Sequence, residues 1–115
     1  MKGAGVVLLV SNIPEEIANV DNIFNMVGMY GDVMFVKQYP VYPERRYNEV
    51  AGLTASVWYP EHARMCELEP IGPAEQLASG ESASFTETWW LVRQKFPAEG
   101  ADVDLKQVQK TVDGL

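Results

Sequence analysis

Between residues 32 and 94 the chain runs through one strand-like segment after another, and this pattern constrains its fold more than any other feature. "DVMFVKQYPVY" reads as a strand whose far end is limited by Pro40 and Pro43, since proline has no N–H for a central ladder. "LTASVWY" alternates Ala55, Val57 and Tyr59 with Thr54, Ser56 and Trp58, as a pleated strand requires. "RMCELEPIG" reads as a further strand. After the turn "ASGES" comes "SASFTETWWLVRQ", expected to be the longest, with Ala83, Phe85, Trp89 and Leu91 on one face.

Two helices are expected around this strand-rich middle. In "NVDNIFNMVGMYG" Val20, Ile23, Phe24 and Val27 recur at helical spacing. Asn19 suits the N-cap, Asp21 the first turn, and Gly31 the residue after the last turn. "DVDLKQVQKTV" places Leu105, Val108 and Val112 on one side, with Asp102 or Asp104 as cap. The chain opens with "VVLLV", Val6 to Val10, a continuous apolar run that reads as a buried strand. The expected order is β-α-β-β-β-β-α. That order argues an α+β fold with a mainly antiparallel sheet and its helices packed on one face.

The 115 residues fit one domain, and 47% hydrophobic residues are enough for a core. No apolar run is long enough to span a bilayer, and the start lacks a signal-peptide pattern, so a soluble, cytoplasmic setting is expected. The net charge of −7 counts against nucleic-acid binding, which rests on basic side chains. A single Cys, Cys66, rules out an internal disulfide, and one Cys with one His argues against a structural zinc site. No phosphate-binding glycine loop or nucleophile elbow is present, and no cofactor or metal is expected. Cys66 is followed directly by Glu67, which disfavours a reactive thiolate.

Residues 6 to 37, with "VLLVSN", a Phe in the following segment, and "YGDV" followed by "VK", resemble the first β-α-β of an RNA recognition motif. The similarity is to the polypyrimidine-tract-binding proteins. It implies an RNA-facing sheet on which aromatic residues stack bases and basic ones meet phosphates. On that resemblance the candidate RNA-binding residues are Leu9, Asn12, Phe35 and Lys37. Leu9 occupies the first-strand aromatic position; plain core packing is the competing account of Leu9 and Val7. Arg45 and Arg46 are the other candidates for a small basic patch with Lys37. The motif's later Lys/Arg-Gly-aromatic octamer is absent.

Residues 38 to 113, through "LEP", "GP", "SGES" and "TETWWL", are similar to the C-terminal part of an uncharacterised bacterial β-sandwich family near the galactose-mutarotase-like folds. The resemblance implies a general-base Glu and a His acting together on a sugar. Glu69 is the nearest match for the base, Glu67 shares its strand face, and His62 lies just upstream. The alternative is that both carboxylates are solvated while Cys66 and Leu68 point inward. Trp89 and Trp90 face opposite ways, with Trp89 expected in the core and Trp90 exposed, covered by an edge element or buried in a subunit contact.

The two resemblances meet at a seam near residues 35–38 without a linker. The favoured expectation is therefore a single chimeric domain over residues 1–115: a non-enzymatic scaffold assembled from two fragments, artificial or a natural fusion. Its alternatives are an RNA-binding module and a carbohydrate-binding or mutarotase-like domain. Open sheet edges and the apolar residues Met29, Tyr30, Met34, Phe35, Tyr39 and Tyr42 predict self-association as a homodimer or higher oligomer, with no membrane or small-molecule partner.

Overall fold

A computed structural model describes residues 4–10, 22–30, 32–58, 67–95, 97–98 and 101–115, with the backbone alone for 4–10, 22–25 and 30. Six strands occur among these residues: β1 (Ala4–Val10), β2 (Asn22–Tyr30), β3 (Val33–Val41), β4 (Ala55–Trp58), β5 (Glu67–Pro70) and β6 (Thr88–Arg93). One α-helix, α1 (Leu105–Asp113), closes the chain, and a short 3-10 turn spans Val50–Gly52. The strands form an antiparallel four-stranded sheet ordered β1-β2-β3-β6 and an antiparallel two-stranded sheet of β4 and β5. The fold is α+β, as the sequence predicts.

One element differs in kind. The segment expected to be a helix is β2, and its nine residues pair with β3 from Asn22↔Val41 to Tyr30↔Val33. Only Gly31 and Asp32 separate the paired ends, and a Gly-Asp step between two apolar runs is hairpin chemistry. Gly28 would weaken a helix interior by about 1 kcal/mol. In β2 it has a use instead: a Cβ there would sit 3.0 Å from Leu68 Cδ1, so glycine lets β5 approach the sheet. The proposed cap Asn19, together with Asp21 and Gly31, lies outside the described residues.

Strand alternation divides the sheet into two faces. On one face Val27, Met29, Met34 and Val36 are buried together with Val108 and Val112 of α1, and Trp90, Val92 and Val103 pack around them. Opposed residues on neighbouring strands share a face, and the register rows Val27–Val36–Trp90 and Met29–Met34–Val92 supply this set. Helix α1 begins at Asp104, whose side chain accepts hydrogen bonds from the Lys106 and Gln107 N–H groups, both at 3.1 Å. This settles the cap between Asp102 and Asp104. Leu105, expected on the apolar side, is 54% exposed in the first turn, and only Val108 and Val112 enter the core.

On the other face Met26, Tyr39 and Val41 are buried beneath Tyr47, Ala55, Leu68 and Phe85. The two-stranded sheet and the chain following it thus cover this face at one end. Pro40 fits its place because β6 pairs with β3 only from Val33 to Gln38. The missing N–H falls beyond the last paired residue. The segment expected to be the longest strand is regular only over Thr88–Arg93, because Phe85 packs against Tyr39 and Gly72 instead of continuing the ladder.

The fully buried Met34 provides a test of this core. Met34→Ala is expected to lower unfolding free energy by about 2–5 kcal/mol in urea denaturation, because the cavity lies between sheet and helix. An effect below 0.5 kcal/mol, on the order of a surface change, would contradict the placement of α1.

Candidate functional site

The far end of the second face is open. Three of its residues, Val33 (44% exposed), Trp89 (62%) and Leu91 (76%), are large, apolar and solvent-facing. Phe35 and Lys37 lie beside them, since the register sets Phe35 opposite Leu91 and Lys37 opposite Trp89. The Phe35 and Trp89 rings meet edge to face, with centroids 5.4 Å apart and planes at 87°.

Lys37 organises this region. Its ammonium donates to the Leu68 carbonyl oxygen at 2.8 Å, pairs with Glu87 Oε2 at 3.3 Å, and lies 4.9 Å from the Trp89 ring centroid. The Phe35 ring is 5.9 Å away. The Trp89 indole N–H donates to Glu87 Oε2 at 2.6 Å. One carboxylate oxygen therefore meets both the cation and the indole and fixes the orientation of the ring. The ammonium favours the electron-rich indole face by electrostatics. The result is an anchored, half-exposed aromatic platform with its nearest charges already paired.

Trp89, expected in the core, is exposed, and of the alternatives left open for Trp90 the structure shows it covered, by α1. The face of β6 that reads as apolar is open because the small sheet stops short of it.

Two of the four candidate RNA-binding residues, Phe35 and Lys37, come together here. Leu9 belongs to the row of Asn25, Gln38 and Thr88, whereas the Lys37 row takes Leu8 and the Phe35 row takes Val6. Asn12 lies outside the described residues. Of the suggested basic patch, Arg45 is engaged away from Lys37. It pairs with both Glu75 carboxylate oxygens at 2.7 Å and its guanidinium lies 5.8 Å from the Tyr42 ring centroid.

Of the carbohydrate candidates, Glu69 is exposed and Glu67 half-buried on β5, opposite Ser56 and Trp58 respectively. His62 and Cys66 lie outside the described residues. Leu68 packs into the core, as its alternation with the two carboxylates predicts. Among the described residues no group of three or more His, Cys, Asp or Glu side chains is placed to hold a metal ion, and no helix is long and apolar enough to cross a membrane.

No protein family, curated protein or solved structure matches the chain.

The Tyr39 phenol holds its proton more tightly than an exposed one. Burial, then the charge of Glu87, then Tyr47, push its phenol up to about 12 from the ordinary 10. The folded chain therefore holds this proton more tightly than the unfolded chain, and stability should fall as pH rises from about 10 to about 12. The stability difference between wild type and Tyr39→Phe, followed by urea denaturation across that range, is expected to change with pH in that direction. A difference that stays constant with pH would show that Tyr39 titrates normally.

Proposed function

We propose that the chain is a non-enzymatic, self-associating interaction module, a scaffold joining two fragments whose parental sites it does not reproduce. The observation that carries this reading is the apolar strip of Val33, Trp89 and Leu91 on β6, one of the two edge strands of the larger sheet, and on its neighbour β3. Large apolar side chains grouped on an open face mark an interaction surface, and an outer strand offers backbone groups for pairing. The departure from the β-α-β order of an RNA recognition motif, with β2 a strand, supports a chain that uses the N-terminal fragment differently from its look-alikes. Sedimentation velocity over a hundredfold concentration range tests the reading. The average mass is expected to rise toward at least twice the chain mass, and Trp89→Ser combined with Leu91→Ser to shift the transition to higher concentration. A wild-type chain that stays monomeric at millimolar concentration would overturn it.

A second reading, binding of single-stranded nucleic acid, is favoured by the meeting of Phe35, Lys37 and exposed Trp89 on one sheet face. Stacking on such rings suits any base. Against it stand the net charge of −7 and the ion pair of Lys37 with Glu87, which leaves Arg93 and Lys95, at and just past the end of β6, as the cations nearest the rings among the described residues. On this account, pyrimidine-rich RNA at low salt should move the amide resonances of residues 33–38 and 88–92. The self-association reading expects those resonances to respond to protein concentration and not to RNA.

A further inference from the structure

We infer that two copies of the chain join through their β6 strands, antiparallel and with Leu91 on the two-fold axis, so that two four-stranded sheets become one of eight strands. This rests on the self-association reading and specifies its partner and geometry.

The backbone supplies the first part of the argument. β6 is the last strand of its sheet, and among the described residues no strand pairs with its outer side. The Gln94 N–H donates to the Asp32 carbonyl oxygen at 3.1 Å, continuing the Val33↔Arg93 register by one step. In an antiparallel ladder, residues alternate between turning both backbone groups toward the partner strand and turning both away. Gln94 turns toward β3, and so do Val92, Trp90 and Thr88. Trp89, Leu91 and Arg93 are left with their N–H and C=O groups directed outward.

Symmetry supplies the second part. A two-fold axis normal to the sheet keeps the α1 side of each copy on the same side of the joined sheet. Opposed residues must share a face, so odd positions oppose odd ones. These are also the positions whose backbone groups point outward, so packing and hydrogen bonding ask for the same set of registers. Centring on Leu91 uses all three outward residues within the strand itself: Leu91 meets its own copy, and Trp89 meets Arg93. Centring on Trp90 would leave Arg93 facing Glu87, outside the strand, and would set the two large Trp90 side chains opposite each other beneath the helices.

Side-chain chemistry supplies the third part. With Leu91 on the axis, the most exposed apolar residue of β6 is covered by an identical one. A guanidinium comes within reach of the open indole, a favourable cation–aromatic pairing. One step further out Lys95 faces Glu87, a pair of opposite charge. On the α1 side Trp90 faces Val92, joining two apolar residues that already border the core. The outward sequence Glu-x-Trp-x-Leu-x-Arg-x-Lys is thus complementary to its own reverse.

The test combines a backbone variant with a distance measurement. Leu91→Pro removes an N–H that β3 does not use, so the fold is expected to persist by circular dichroism. In sedimentation equilibrium the dimer dissociation constant should rise by at least about tenfold. Independently, Leu91→Cys in a Cys66→Ser background carries a nitroxide label on the axis. Strands in one sheet lie about 4.8 Å apart, so strong dipolar broadening is expected, lost on mixing with excess unlabelled chain. A dimer that survives Leu91→Pro and shows no broadening at residue 91 would overturn the β6 pairing while leaving self-association intact. A monomeric wild type would overturn both. Were Leu91→Pro to unfold, the label, read at a concentration where sedimentation shows the labelled chain to be dimeric, would still decide.

Discussion

The fold depends on the pairing of β2 with β3. With only Gly31 and Asp32 between the paired ends, the hairpin fixes the register from Tyr30↔Val33 to Asn22↔Val41, and the register fixes the faces. A slip of one residue would turn Met34 and Val36 to the small-sheet side and bring Phe35 and Lys37 beneath α1. That arrangement would bury a charge and expose the core. The apolar pattern on β2 and β3 therefore holds the register through the free energy of burial, and β1, β6 and α1 are placed against it.

The two faces are covered unequally, and the open site follows from this. Val108 and Val112 span the buried rows of one face. Among the described residues, the other face is covered at one end by the two-stranded sheet with Tyr47 and Phe85, the sheet held close because Gly28 offers Leu68 no obstacle and because Lys37 reaches the Leu68 carbonyl oxygen. The same lysine is paired with Glu87, whose carboxylate also holds the Trp89 indole. Lys37 thus ties the small sheet to the large one and sets the exposed ring in position. Removing a partly buried partner of this kind leaves the others unsatisfied, a cost added to that of the lost hydrogen bond.

Much of this was legible from residue patterns, and the exceptions have physical causes. The strand cores of β3, β4, β5 and β6, the helix α1 and its N-terminal Asp cap follow from alternation, helical spacing and capping chemistry. Segment 22–30 misleads because Val20, Ile23, Phe24 and Val27 satisfy a helical period while Val27 and Met29 also satisfy a strand period. The Gly-Asp step before β3 was the discriminating signal. The misplaced Trp89 has a different origin. Alternation shows that Trp89 and Trp90 face opposite ways, but which face is covered depends on where α1 and the small sheet dock, and that is a long-range matter. Phe35 and Lys37 were identifiable as a pair two apart on one strand. Their meeting with Trp89 and Glu87 required the β3–β6 register, which joins positions more than fifty residues apart.

Edge strands pose a problem that this chain answers with charge. Trp89 and Leu91 on the outermost strand would invite indiscriminate pairing, and Arg93 and Lys95, following at alternate positions, oppose it. A strand of arbitrary sequence entering that edge must place something against two cations and an exposed indole. A second copy of β6 presents an indole to one cation and a carboxylate to the other. In the proposed symmetric pair the residues that discourage other partners become complementary, and contacts that favour one partner while penalising the rest are a source of specificity. The acidic surface acts in the same direction. Two chains of charge −7 repel at long range, so the proposed pairing has to rest on close apolar packing and matched charges.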